Sequence, residues 1–118
     1  MPGRAADGER AEQLAEAHLC AAGLKPQQRN YRCRFGELDL VMRDGDTLVI
    51  GEVRKRSSRD FGGAAASVTP AKQQRIIRST RQLLAEHPPY QRLAVRFDVI
   101  AIDADNRIDW IQSAFDAH

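Results

Sequence analysis

The chain has 118 residues, 42% of them hydrophobic and 29% charged, which suits one globular domain with a single ordinary core. No apolar run approaches the roughly 18 residues that span a bilayer, and the opening MPGRAADGER lacks a signal-peptide core, so a cytoplasmic protein without membrane contact is expected. The net charge of +2 is unevenly spread: residues 29–81 carry twelve Lys/Arg against six Asp/Glu, net +6, while the flanks are net −4. A polyanion-facing surface and a merely solvated basic face fit that asymmetry equally.

Residues 7–24, DGERAEQLAEAHLCAAGL, read as a helix with Asp7 as N-cap and Gly23 just past its C-terminus. Ala11, Leu14, Ala15, His18, Leu19 and Ala22 recur at helical spacing as its apolar face. Glu12 borders that face. His18 reads as a core-edge histidine, because no second histidine stands at metal spacing. Cys20 and Cys33 have no CxxC partner and read as two reduced thiols.

NYRCRF (30–35) is a short β-prone run closed by a bend at Phe35-Gly36. Alternation over 37–43 places Glu37, Asp39, Val41 and Arg43 on one face and Leu38, Leu40 and Met42 on the other. The turn Asp44-Gly45-Asp46 folds this strand back on 47–54 as an antiparallel hairpin. In the second strand Leu48, Ile50, Glu52 and Arg54 share a face, opposite Thr47, Val49, Gly51 and Val53. Residues 57–68 read as a Gly/Ser-rich loop.

Thr69-Pro70 opens a second helix, with Thr as N-cap and Pro at the first helical position. Ile76, Ile77, Thr80, Leu83 and Leu84 form its buried stripe; Lys72, Arg75, Arg78 and Arg81 fan across the other side, with Lys72 bordering the stripe. Pro88-Pro89 ends it. LAVRFDVIAI (93–102) reads as a strand buried on both faces, and RIDWIQ (107–112) as a more exposed one after a turn at 103–106. The fold class is therefore α/β, a small mixed β-sheet flanked by helices, with a parallel crossover between 47–54 and 93–102.

The acids in GELDL and GEV need a reason. Asp39 and Glu52 sit on paired strands, where two carboxylates both stay ionised only if a cation joins them. A small set of oxygen ligands without histidine or thiolate suits Mg²⁺ or Mn²⁺, which polarises a phosphate and generates hydroxide from water. Arg54 follows Glu52 on the same face, about 7 Å along the strand, within reach of a phosphate. The bland reading is that these are edge-strand charges that block aggregation or pair with neighbouring arginines.

GELDL, a turn, then VIGEVRKR resembles the D…(D/E)-x-K signature of restriction-endonuclease-like nucleases. More closely, the chain from about residue 8 to 115 resembles the YraN family of small bacterial predicted nucleases, through AEQLAEAHL and Gly23, RNYRCRFGELDLV, LVIGEVRKR, FG at 61–62, Lys72, RFDVIAI and IQSAF. The resemblance implies a restriction-endonuclease-like core and Mg²⁺-dependent (or Mn²⁺-dependent) phosphodiester hydrolysis on nucleic acid, with DNA, branched or structured, as the substrate class. It implies Asp39, Glu52 and Glu12 as metal ligands with the Val53 carbonyl beside them. Arg54 then stands near the scissile phosphate, where the family usually has lysine. It also implies Lys72 and Gln73 as second-helix positions that face phosphate, and Glu37 belongs to the motif without an assigned role; the basic residues around the site, Arg32, Arg34, Lys55, Arg56 and Arg75, are expected to hold the nucleic-acid backbone. Because arginine stays protonated, Arg54 holds charge but cannot act as a base. A non-catalytic nucleic-acid-binding module with the same fold, and an interaction protein docking through the basic helix, are the alternatives. Symmetric cutting of a junction calls for a two-fold dimer.

Overall fold

The computed structural model describes residues 4–56 and 63–117. Its elements in chain order are α1 (Arg4–Ala21), β1 (Lys25–Cys33), β2 (Gly36–Asp44), β3 (Thr47–Lys55), a single turn α2 (Gly63–Ala66), α3 (Pro70–Glu86), β4 (Ala94–Ile102) and β5 (Ile108–Phe115). The strands form one five-stranded sheet in the order β1-β2-β3-β4-β5. The β3–β4 pair is parallel and the other three pairs are antiparallel. The mixed sheet between helices is the expected α/β class and is compatible with a restriction-endonuclease-like core. No helix among the described residues is long and apolar enough to cross a membrane.

Each face of the sheet carries its own core. On one face Ala11, Ala15 and Leu19 of α1 pack on Leu40, Met42, Val49 and Ile100. On the other, Ile76, Ile77 and Leu83 of α3 pack on Val41, Leu48, Ile50, Phe97 and Val99. The split follows the alternation predicted for β3. Two helix boundaries are chemically set. Gly23, at φ +99°, ends α1 in a Schellman arrangement: the Leu24 N–H donates to Leu19 O at 3.1 Å, and both leucines are buried. Thr69 caps α3 as predicted, its hydroxyl accepting from the Lys72 N–H at 3.2 Å with Pro70 opening the helix.

Several boundaries and faces differ from the sequence reading. The first helix begins at Arg4, three residues ahead of Asp7, so Asp7 is inside the helix and does not cap it. His18 and Ala22 are exposed instead of sharing the apolar face, and the His18 ring stands edge-on to Trp110 at 6.1 Å. Strand β1 starts five residues before NYRCRF and ends at Cys33, leaving Arg34 and Phe35 as the hairpin turn. Residues 63–66 form a helical turn within the predicted loop; residues 57–62, including the FG pair, lie outside the described residues. Cys20 is exposed, Cys33 half-buried, and both are free thiols.

The departure nearest the site concerns Leu38, which packs in the α3-side core with Val41, not with Leu40 and Met42. The cause lies in the partner strand. Asn30 has φ +58° between Arg29, opposite Leu40, and Tyr31, opposite Leu38, and Tyr31 also packs on the α3 side. That left-handed residue breaks the alternation in β1, and β2 follows it at Asp39.

Strand β4 holds one acid in its apolar run. Asp98 is fully buried, its carboxylate accepting from Arg96 Nε (3.0 Å), Trp110 Nε1 (2.9 Å) and the Ser113 N–H (3.0 Å). The β4–β5 register shifts between Phe97 and Val99, opposite Ser113 at φ +52°. Asp98 therefore satisfies the backbone donor that the bulge in β5 releases.

Candidate active site

A cavity of about 440 Å³ opens at the end of the sheet between α1 and α3, lined by Gly8, Ala11, Glu12, Asp39, Glu52, Val53, Arg54, Lys55 and Lys72. Every acid that the sequence nominated for a metal lies in it. Three elements converge: the β2–β3 hairpin supplies Asp39 and Glu52, α1 supplies Glu12, and the first turn of α3 supplies Lys72.

Asp39 is fixed from the backbone. The β2–β3 ladder pairs residues as far as Leu40 and Gly51; beyond it Asp39 Oδ2 accepts from the Val53 N–H at 2.9 Å. Burial chiefly, and the neighbouring Glu52 charge next, push the Asp39 carboxyl up from 3.8 to about 7, against the lowering effect of the Val53 N–H. Asp39 thus loses its proton only near neutrality. Glu52 is 5% exposed, and Lys72 Nζ stands 2.8 Å from its Oε1. Glu12 is half-buried on the α1 wall, where desolvation raises its pKa and a hydrogen bond from Asn30 opposes the rise. Asn30 was not singled out in the sequence; its sole signal there is an Asn inside a polar strand, a residue that tolerates positive φ.

Arg54 lies on the cavity wall but is turned toward the approach to α3. Its Nη2 donates to Ser67 O at 3.4 Å, and its Nε is buried with no hydrogen-bond partner among the described residues. Lys55 points to the α1 side and is exposed at the rim, as alternation requires.

The remaining basic residues are more dispersed. Arg56 is exposed and pairs with Asp109 at 3.4 Å; Arg75 is exposed on the first half of α3. Gln73 is half-buried and ties α3 to the preceding turn through Val68 O at 3.0 Å. Arg32 and Arg34 lie beyond the cavity lining: Arg32 pairs with Glu37 at 3.4 Å, and Arg34 sits over the Phe35 ring at 4.7 Å. Glu37 is likewise exposed and outside the cavity.

Among the described residues, no group of three His, Cys, Asp or Glu side chains converges closely enough to hold an ion by itself. Two carboxylates do meet, with a third on the opposite wall. The donor chemistry is all oxygen, and the Lys72 ammonium now offsets part of the pair's charge. That set fits a hard divalent ion that keeps waters or phosphate oxygens in its other positions.

The sequence profile described as "Uncharacterised protein family UPF0102" matches residues 11–102. A UPF0102 protein of Cupriavidus taiwanensis is 55% identical over 120 residues, covering 98% of this chain and 87% of the relative. One from Ralstonia nicotianae is 57% identical over 118 residues, covering 97% and 89%. One from Legionella pneumophila is 47% identical over 111 residues, covering 93% and 94%. These are the YraN-like proteins that the GELDL and GEVRKR motifs resemble. With a profile match across most of its length and identities of this size, the chain belongs to protein family UPF0102.

Proposed function

We propose that this protein is a Mg²⁺- or Mn²⁺-dependent nuclease that hydrolyses phosphodiester bonds in DNA, with branched or structured DNA as the substrate class. The observation that carries the reading is the placement of Asp39 and Glu52 side by side on paired strands, in a cavity that also takes Glu12 and Lys72. Setting a half-buried carboxylate against a buried one is costly, and no packing need explains it.

Asp39, Glu52 and Glu12, with the Val53 carbonyl, would hold the ion. Bound there, a divalent ion supplies Lewis acidity to a phosphate oxygen and lowers the pKa of water. The chain's own residues orient the reaction. The Val53 N–H fixes Asp39, and Lys55, Arg56 and Arg75 offer charge to flanking phosphates outside the cavity. In hydrolysis water oxygen bonds to phosphorus as the P–O bond to the leaving sugar oxygen breaks. The water proton passes to solvent and the leaving oxygen takes up another.

One observation favours a second reading. The strand position that carries lysine in related nucleases is Arg54, and its guanidinium is turned to Ser67 O. A nucleic-acid-binding module that kept the fold without catalysis fits that orientation. Incubating supercoiled plasmid and a synthetic four-way junction with Mg²⁺ or with EDTA, beside Glu52→Gln, separates the two. The nuclease reading predicts cleavage lost both in EDTA and in the variant. Tight binding without cleavage, indifferent to metal, selects the module.

A further inference from the structure

Lysine is badly placed in the first turn of a helix, where free N–H groups and the helix dipole favour anions. Lys72 sits there, at the third helical position of α3, and no acidic residue in that turn offsets it. Its partner comes from another element: Nζ reaches down to Glu52 Oε1 at 2.8 Å, with the side chain one-third exposed along the cavity wall. Local rules broken without a packing gain mark functional positions. Arg54, the strand cation, is bonded to Ser67 O and does not reach Glu52 among the described contacts.

We infer that Lys72 is the working cation of this site: it holds Glu52 in the metal-free protein, yields that carboxylate to the divalent ion, and then contacts the scissile phosphate from α3 in place of a strand lysine. The inference rests on the metal-dependent reading above. Its chemistry suits the residue. An ammonium on a four-carbon stem swings between partners a few ångströms apart, whereas the planar Arg54 fork directs its Nη2 to Ser67 O. Thr69 capping sets the root of the stem, because the same Lys72 N–H that it binds fixes where the side chain leaves the helix.

The test is a calorimetric Mn²⁺ titration of wild type beside Lys72→Met, both checked for folding by circular dichroism, followed by cleavage and binding of a four-way junction. Removing a competing unit charge next to the ion should tighten Mn²⁺ binding by roughly tenfold. Cleavage should fall at least about a hundredfold with junction affinity changed only a few-fold, because the lost contact acts on the transition state. If wild type binds Mn²⁺ and Lys72→Met binds equally or more weakly, Lys72 supports Glu52 and the inference falls while the nuclease reading stands. If binding tightens and cleavage is unchanged, the phosphate contact is wrong. If neither protein binds Mn²⁺, alone or with junction present, both readings fall together.

Discussion

The Val53 N–H donates to Asp39 Oδ2 at 2.9 Å just past the last β2–β3 pair, Leu40 with Gly51. A side chain here continues what the backbone ladder has stopped doing. The bond holds the hairpin closed at its open end and aims the Asp39 carboxylate at Glu52.

Burial of that carboxylate beside Glu52 makes the site's cost measurable. Asp39 titrates at about 7 in the folded chain and at 3.8 ordinarily, so between those values the folded state binds more protons than the unfolded one. The Asp39 contribution to metal-free stability is therefore full below about pH 4 and declines as pH rises towards 7, at no more than about 1.4 kcal/mol per pH unit. Asp39→Asn keeps an acceptor for Val53 and has no charge to lose. In EDTA at pH 8 it should be more stable than wild type by about 1–3 kcal/mol in urea unfolding, with a flatter pH dependence. Equal slopes in the two proteins would contradict the raised Asp39 pKa.

Asp98 should be the costliest single truncation in β4. Asp98→Ala removes the acceptor of Arg96, Trp110 and the Ser113 N–H in a fully buried position. A loss of about 3–5 kcal/mol is expected, of the size seen when one partner of a buried charge network is removed. Asp98→Asn should recover part of it. Equilibrium unfolding of the two variants checks the order, and a loss under about 1 kcal/mol for alanine would contradict the bulge-holding role.

Gly51 leaves just enough room for its neighbours. A Cβ there would meet Ile100 Cδ1 at 3.0 Å and Leu40 Cβ at 3.4 Å. The Ile100 contact is the end of a rotatable side chain, so Gly51→Ala should change stability by less than about 1 kcal/mol, backbone entropy offsetting the crowding. Gly51→Val adds two methyls against the same wall and should cost about 1–3 kcal/mol. Thermal denaturation of the pair tests this; a stabilising valine would mean that the α1-side core has slack.

Much of the fold was legible because strong local chemistry marked it. Asp44-Gly45-Asp46 gave the hairpin, with Gly45 at φ +59°, and Thr69-Pro70 gave the start of α3. Asp39 and Glu52 were legible as a pair because acids in apolar strands have few structural uses. The edge strand was not, since KPQQRNYRC is mostly exposed and carries almost no alternation. Leu38 was assigned to the wrong face because the break begins at Asn30 in the neighbouring strand, which no period within β2 records. Lys72 read as a helix cation facing phosphate, yet only the three-dimensional crossing of α3 over β3 brings it to Glu52. Asp98 went unremarked, although a single acid in LAVRFDVIAI was signal enough.

The most direct test of the central claim is a calorimetric Mn²⁺ titration of the metal-stripped wild type beside Asp39→Asn and Glu52→Gln at pH 7.5, each protein confirmed to be folded. Saturable binding by wild type that vanishes in both variants is the predicted result. A folded wild type that takes up no Mn²⁺, with or without a DNA junction present, would contradict the assignment of these carboxylates to a metal.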